Sequence, residues 1–78
     1  MARTPRSVDI QAEMVANVMT VYVGAGDKVA VGDTVVLLES MKMEIPVLSE
    51  SAGTVRSVNV AAGDVVQEGD PLITLDPA

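Results

Sequence analysis

The sequence predicts an all-β domain built from two similar halves that close on each other about a pseudo-two-fold axis. The chain repeats itself after 37 positions: residues 16–39 align with residues 53–76 without a gap, and 10 of the 24 aligned pairs are identical. Of the 78 residues, 15 are valine and only one is aromatic, which favours strands over helices. Gly-Asp pairs recur at 26–27, 32–33, 63–64 and 69–70, as turns between short strands would require.

Each copy of the repeat has the pattern of strands with one buried face. Val21 and Val23 alternate with polar or small residues, and their counterparts in the second copy do the same. Val18 and Val55 lie three residues before the next inward valine, which breaks the two-residue period at the same place in both copies. We therefore predict a β-bulge or a strand bend at each of these two positions. Two copies are too few for a solenoid, so the halves must pack on each other.

The link between the copies is predicted to be a tight turn between two strands. Leu37–Glu44 is the best helix candidate in the chain, but Val35-Val36 before it and Pro46 after it leave no room to extend it to a stable length. The repeat also predicts where the chain ends lie. If one rotation carries residues 7–39 onto 44–76, the ends should lie close together, at the pole opposite Lys42.

Composition excludes several classes of function. There is no cysteine and no histidine, so the sequence has no disulfide, no thiol nucleophile and no zinc site of the common kinds. From Ser7 onward, three basic residues stand against eleven acidic ones, a net charge of 3 − 11 = −8, which argues against a nucleic-acid partner. No apolar run is long enough to cross a bilayer. We expect a cytoplasmic protein with a flexible lead-in at 1–7, a domain at 8–76 and a tail at 77–78.

Lys42 is the candidate functional residue. It lies at the turn between the repeats, between Met41 and Met43, and Glu39 and Glu44 bracket the segment. A single lysine is usually a solvated surface residue. Exposed methionines at this turn, however, are adaptable groups that a modifying enzyme could recognise. The alternative for the methionines, equally open, is that one of them folds inward to cover the end of the core.

The segment Glu39-Ser40-Met41-Lys42-Met43 closely resembles the Glu-Ala-Met-Lys-Met signature of biotinyl domains, the biotin carboxyl carrier modules of biotin-dependent carboxylases. The resemblance extends from about Ile10 to Leu75 and includes the Gly-Asp turns. Ser40 replaces the common alanine, and both residues are small. The family fold is a flattened antiparallel barrel-sandwich of two four-stranded sheets, with the biotinyl lysine at an exposed hairpin.

The resemblance implies a non-catalytic carrier. Biotin would be attached covalently to Lys42 by a biotin protein ligase, which would recognise Met41 and Met43, with Glu39, Ser40 and Glu44 as the flanking signature. The attached biotin would carry carboxylate from a biotin carboxylase to a carboxyltransferase. The carboxylated substrate stays open, since acetyl-CoA, propionyl-CoA and pyruvate systems all use such carriers. Tethering would raise the effective concentration of biotin at both enzymes.

Three other interpretations compete with this one. The chain could instead carry lipoate, although lipoyl domains, which share the fold, have aspartate in place of Met41 and alanine in place of Met43. It could also be an unmodified binding protein that uses its acidic surface and Met-rich tip. The aspartates after glycine might suggest calcium loops, but they lack the alternating oxygen ligands, so turn chemistry explains them better. Lys28, which superficially resembles a lipoyl site, is interpreted as an ordinary turn lysine, because its counterpart is Val65.

Overall fold

The fold was analysed in a computed structural model that describes residues 7–78. It contains eight strands, which form two four-stranded antiparallel sheets. The strands are β1 (Val8–Gln11), β2 (Ala16–Val21), β3 (Lys28–Val29), β4 (Thr34–Ser40), β5 (Met43–Leu48), β6 (Gly53–Val58), β7 (Val65–Val66) and β8 (Pro71–Pro77). Sheet A has the strand order β1-β8-β6-β3, and sheet B has the order β5-β4-β2-β7. The predicted fold class is confirmed. The predicted lead-in at 1–7 lies, apart from Ser7, outside the described residues.

The pseudo-two-fold relation holds for the pairing of individual residues. In sheet B, Leu38 pairs with Ile45. In sheet A the equivalent residues also pair: Leu75 lies 37 positions after Leu38, and Val8 lies 37 positions before Ile45. Three further pairs of β4 with β5 recur in the same way between β8 and β1, and all four pairs of β2 with β4 recur between β6 and β8. The two pairs nearest the lysine turn, Glu39 with Glu44 and Ser40 with Met43, have no counterpart among the described residues of sheet A. Sequence identity between the copies therefore reports a shared backbone geometry.

Both predicted irregularities are present. The register between β2 and β4 shifts between Val18 and Thr20, and the register between β6 and β8 shifts between Val55 and Ser57. The additional residue at each bulge, Met19 or Arg56, is exposed. A bulge lets the strand bend, so that the valines on both sides of it still face the core.

The core lies between the sheets and takes matching residues from each. Leu38 and Leu75 are related by the repeat, and both are at most 1% exposed. Aliphatic side chains from the remaining strands complete the core, chiefly Ala16, Val18, Val29, Val35, Val36, Val55, Val66, Leu72 and Ile73. No buried side-chain nitrogen or oxygen among the described residues lacks a hydrogen-bond partner. The core cluster is thus aliphatic throughout, and the buried polar side chain of Ser49 is satisfied, because its hydroxyl donates to Ser51 O at 2.6 Å.

The aspartates that follow glycine stabilise turns by hydrogen bonding, as predicted from the sequence. Asp27 N–H donates to Gly24 O at 3.0 Å, while its Oδ2 accepts from Gly24 N–H at 2.8 Å. Gly26 between them has φ 94°, a value that the third residue of a type II turn needs and that glycine adopts without strain. The same pair of bonds closes the turns that end at Asp33, Asp64 and Asp70.

The segments that enter and leave the domain are neighbours. Val8 pairs with Leu75, at the point of sheet A that corresponds to the base of the β4–β5 hairpin in sheet B. The prediction that the chain ends lie close together is therefore confirmed for the described residues, and their position at the pole opposite Lys42 stays a prediction. No helix able to span a membrane occurs among residues 7–78.

Candidate functional site

The candidate site is the hairpin between β4 and β5. Pairing continues from Glu39 and Glu44 to Ser40 and Met43, so that only Met41 and Lys42 form the loop. Met41 has φ 52° and Lys42 has φ 65°. Positive φ at both central residues is the geometry of a type I′ turn, whose twist matches that of the flanking strands. The predicted strand–turn–strand is confirmed, and Lys42 lies at its tip.

The turn is strained, because neither loop residue is glycine. A residue with a Cβ atom in the left-handed region costs roughly 1–2 kcal/mol, and this hairpin has two in succession. They are the only non-glycine residues with positive φ in the described part of the chain. Strain concentrated at a single exposed turn indicates that side chains are kept there for a reason other than stability.

Replacing Met41-Lys42 with Asn-Gly, the preferred type I′ pair, is expected to stabilise the domain by about 1–2 kcal/mol, since both residues tolerate positive φ. Urea denaturation followed by far-UV circular dichroism would measure the change. Ser40→Gly, one position outside the loop, is the matched control and should lose about 0.5–1 kcal/mol, as glycine does within a strand. A double variant no more stable than the wild type would contradict the assignment of strain.

The side chains at the tip are in solvent. Met41 is 87% exposed, Met43 is 58% exposed, and Lys42 is also exposed. Neither methionine folds inward over the core, which decides between the two alternatives left open by the sequence. Three flexible, unpartnered side chains in succession form an accessible tip around the amine of Lys42.

The flanking acidic residues form one row across sheet B. Glu39 pairs with Glu44 on one side and with Asn17 on the other. In sheet A the counterpart of Glu39 is Asp76, whose carboxylate lies 3.6 Å from Arg56 Nε. The place of Arg56 is taken in sheet B by Met19, so the sheet that bears Lys42 lacks this cation. Ser40 is half-buried at the base of the turn.

The sequence identified the hairpin segment around Lys42 correctly but did not reveal two features of the site. It did not find the positive φ angles of Met41 and Lys42, since no Asn-Gly or Gly-containing pair marks the turn. It also missed Met19, an exposed bulge residue whose difference from Arg56 is visible only when the two copies are aligned. Lys28, by contrast, lies in the two-residue edge strand β3 rather than at a hairpin tip.

The geometry fits an amine that receives a prosthetic group. An amide bond to Lys42 needs an exposed primary amine that an enzyme can enclose, and a two-residue loop at the end of two paired strands provides it. The rigid pairing up to Ser40 and Met43 fixes where the arm begins. Together, the double sheet and the exposed lysine define a carrier domain, which displays one side chain at the end of a paired hairpin.

The comparisons identify the family. The model of the biotin/lipoyl attachment family, described as "Biotin-requiring enzyme", matches residues 8–75. The chain therefore belongs to this family, and covalent biotin is the cofactor that membership and the sequence resemblance both support. The biotinylated protein TB7.3 of Mycobacterium tuberculosis is 63% identical over 41 residues, which cover 53% of this chain and 58% of that protein. A biotin/lipoyl attachment protein of Bacillus subtilis is 44% identical over 41 residues, covering 53% of this chain and 56% of that one. The matches thus span little more than half of these relatives.

Solved structures support the same fold. A single-chain, multi-domain long-chain acyl-CoA carboxylase matches all of this chain with a TM-score of 0.89 and 28% identity, and the match covers 8% of the carboxylase. The lipoyl domain of the 2-oxoglutarate dehydrogenase complex from Azotobacter vinelandii matches 85% of this chain and 94% of that domain, with a TM-score of 0.69 and 24% identity. The second likeness shows the shared architecture alone.

Proposed function

We propose that this chain is a cytoplasmic biotin carboxyl carrier in which Lys42 holds the biotin. The observation that carries the proposal is the strained, exposed Met41-Lys42 turn between two well-paired strands. Membership of the family described as "Biotin-requiring enzyme" and the likeness to part of a long-chain acyl-CoA carboxylase support a non-catalytic, biotin-carrying domain. The proposed partners are a biotin protein ligase, a biotin carboxylase and a carboxyltransferase.

In the loading reaction, the Lys42 amine attacks the carboxyl carbon of biotin after a ligase has activated it as an adenylate. An amide bond forms, AMP leaves, and the amine gives up a proton to the ligase or to solvent. Exposure of Met41 and Met43 on both sides of the lysine gives the ligase apolar contacts close to the amine. When attached, biotin supplies a ureido nitrogen that can take up and release carboxylate.

The scaffold contributes position rather than catalysis. Ser40 and Met43 pair directly below the loop, so that the arm begins from a fixed point while the lysine side chain remains free to rotate. Carriage between two enzymes on one tether makes each transfer effectively intramolecular. The substrate that is finally carboxylated depends on the carboxyltransferase and is not part of the proposal.

Co-expression with a biotin protein ligase tests the function. Intact-mass spectrometry is expected to show one biotin per chain, and incubation with lipoate and a lipoyl ligase should leave the mass unchanged. Lipoylation in place of biotinylation would favour the sister function, which shares this fold. A chain modified by neither enzyme would support an unmodified binding protein instead.

A further inference from the structure

The pseudo-two-fold axis provides an internal comparison between the outer faces of the two sheets. Because eight residue pairs of sheet A repeat eight pairs of sheet B, the outward positions within these paired segments have geometric counterparts on the other sheet. Differences in side-chain chemistry at equivalent positions therefore do not result from a different backbone. They report what each face contacts.

The outer face of sheet A is polar and satisfied within itself. Ser57 Oγ donates to Asn59 Oδ1 at 3.1 Å, and Asn59 Nδ2 donates to Thr74 Oγ1 at 3.0 Å. The hydroxyl of Thr74 then donates to Asp9 Oδ1 at 2.9 Å. This chain of hydrogen bonds crosses β6, β8 and β1, as expected of a sheet face that remains in water.

The outer face of sheet B is apolar at the same places. Asn59, Thr74, Asp9 and Gln11 of sheet A correspond to Tyr22, Leu37, Pro46 and Leu48, which we call the outer patch. Their neighbours in sequence, Val21, Leu38, Ile45 and Val47, pack in the core, so alternation along the strands places the outer patch on the solvent side. Tyr22 is 53% exposed and Leu48 is 48% exposed.

The outer patch is contiguous and lies on the same sheet as the lysine turn, separated from it by two acidic residues. Leu37 pairs with Pro46 across β4 and β5, and Tyr22 occupies the place from which Asn59 reaches Thr74 in the other half. Glu39 and Glu44 lie two residues further along the same strands, on the same face, between the outer patch and the turn. An apolar surface bordered by acidic groups and next to a modification site is typical of a protein interface.

We propose that the outer patch is the surface on which the biotin protein ligase docks while it modifies Lys42; this inference rests on the proposed function. Among the proposed partners, the ligase must approach the domain most closely. Before loading, the reacting atom is the lysine amine itself, so the two-residue loop must enter the ligase and the sheet beside it must meet the ligase surface. After loading, the biotin arm adds length and the carboxylase enzymes need not approach the sheet so closely.

The proposal specifies the ligase surface as well. Beside its active site it should carry apolar side chains that cover Tyr22 and Leu37. A basic group on the ligase should face Glu39 and Glu44, because the part of the chain described here places no cation against them, whereas Asp76 has Arg56.

The second half of the chain provides the test variants, since its residues are already compatible with this backbone. Tyr22→Asn with Leu37→Thr copies the polar face of sheet A onto sheet B. The matched control, Asn59→Tyr with Thr74→Leu, makes the reverse exchange on the far sheet. Steady-state biotinylation by a purified ligase, with the apo chain varied, gives KM and kcat for each. We expect KM to rise at least about tenfold for the first variant, equivalent to roughly 1.4 kcal/mol, with kcat unchanged and with wild-type kinetics for the control.

Each outcome is informative. A KM for the sheet B variant within twofold of wild type would overturn the docking surface while leaving biotinylation of Lys42 intact. An equal rise in both variants would show a general effect of substitution and would also overturn it. Tyr22→Asn alone, at a half-exposed position, is the fallback if the double variant does not fold, and far-UV circular dichroism checks this. A wild-type chain that no ligase modifies would instead refute the proposed function itself.

Discussion

Lys42→Arg is expected to abolish biotinylation completely. Arginine keeps the positive charge and has a side chain of similar length, and it would occupy the same exposed tip, so the fold and the surroundings of the turn should be retained. The guanidinium group, however, stays protonated and delocalised in proteins and is a poor nucleophile for an acyl adenylate. Intact-mass spectrometry after co-expression with a ligase should show the unmodified mass alone.

Lys28→Arg is the matched control for this experiment. The sequence contains only two lysines, and Lys28 is also exposed. Comparing the two variants therefore separates the effect of the lysine's position in the fold from the effect of replacing any exposed lysine. Lys28 lies in a short edge strand, where no hairpin projects it towards an enzyme. Its substitution should leave one biotin per chain. A biotin adduct on the Lys42→Arg variant would show that another amine is the acceptor and would refute the assignment.

The repeat made most of the fold predictable. Because residues 16–39 and 53–76 align without a gap, both halves must have the same order of strands and turns. Each uncertain assignment could therefore be checked against the equivalent residues of the other copy. The three-residue step after Val18 recurs after Val55, which identified it as a bulge rather than noise. The Gly-Asp pairs placed four turns at once. Local signals that agree in two copies are stronger than the same signals in one.

Two aspects of the site could not be predicted from residue patterns. Nothing in Met41-Lys42 marks positive φ, because these residues avoid it elsewhere and adopt it only where a two-residue link must follow the twist of β4 and β5. The outward exposure of both methionines was also undecided, since an apolar side chain next to a small core can face either way. Only the register of Ser40 with Met43 settles the loop length.

Several departures from symmetry lie on the outer faces of the two sheets, where sheet B has the more apolar residue of each pair. Met19 replaces Arg56, Tyr22 replaces Asn59, and Leu37 replaces Thr74, whereas buried positions such as Leu38 and Leu75 are alike. Most buried positions carry aliphatic side chains in both halves, because packing constrains their volume and polarity. Exposed positions are under no such constraint, and here the outer face of the sheet that bears the lysine turn is the more apolar of the two.

A departure from symmetry at a buried position leads to the second large prediction. Gly53 begins β6 and is buried, while its counterpart in the first half is Ala16. A Cβ atom at Gly53 would collide with the backbone carbonyl of Asp76 and crowd Pro77, which Gly53 pairs with in β8. Ala16 has no such neighbour pairing, because the register of β2 with β4 ends at Asn17 and Glu39, where the chain enters the lysine hairpin.

Gly53→Ala is therefore expected to destabilise the domain by about 3 kcal/mol, the upper part of the range for overpacking, because the obstacle is backbone and cannot rotate away. A domain of 78 residues has a free energy of unfolding of roughly 4–12 kcal/mol, so the loss should move the urea midpoint strongly. Ala16→Gly is the control at the equivalent position, and it should lose only about 0.5–1 kcal/mol. If the two variants unfold at the same urea concentration, the close approach of β6 and β8 at Gly53 is wrong.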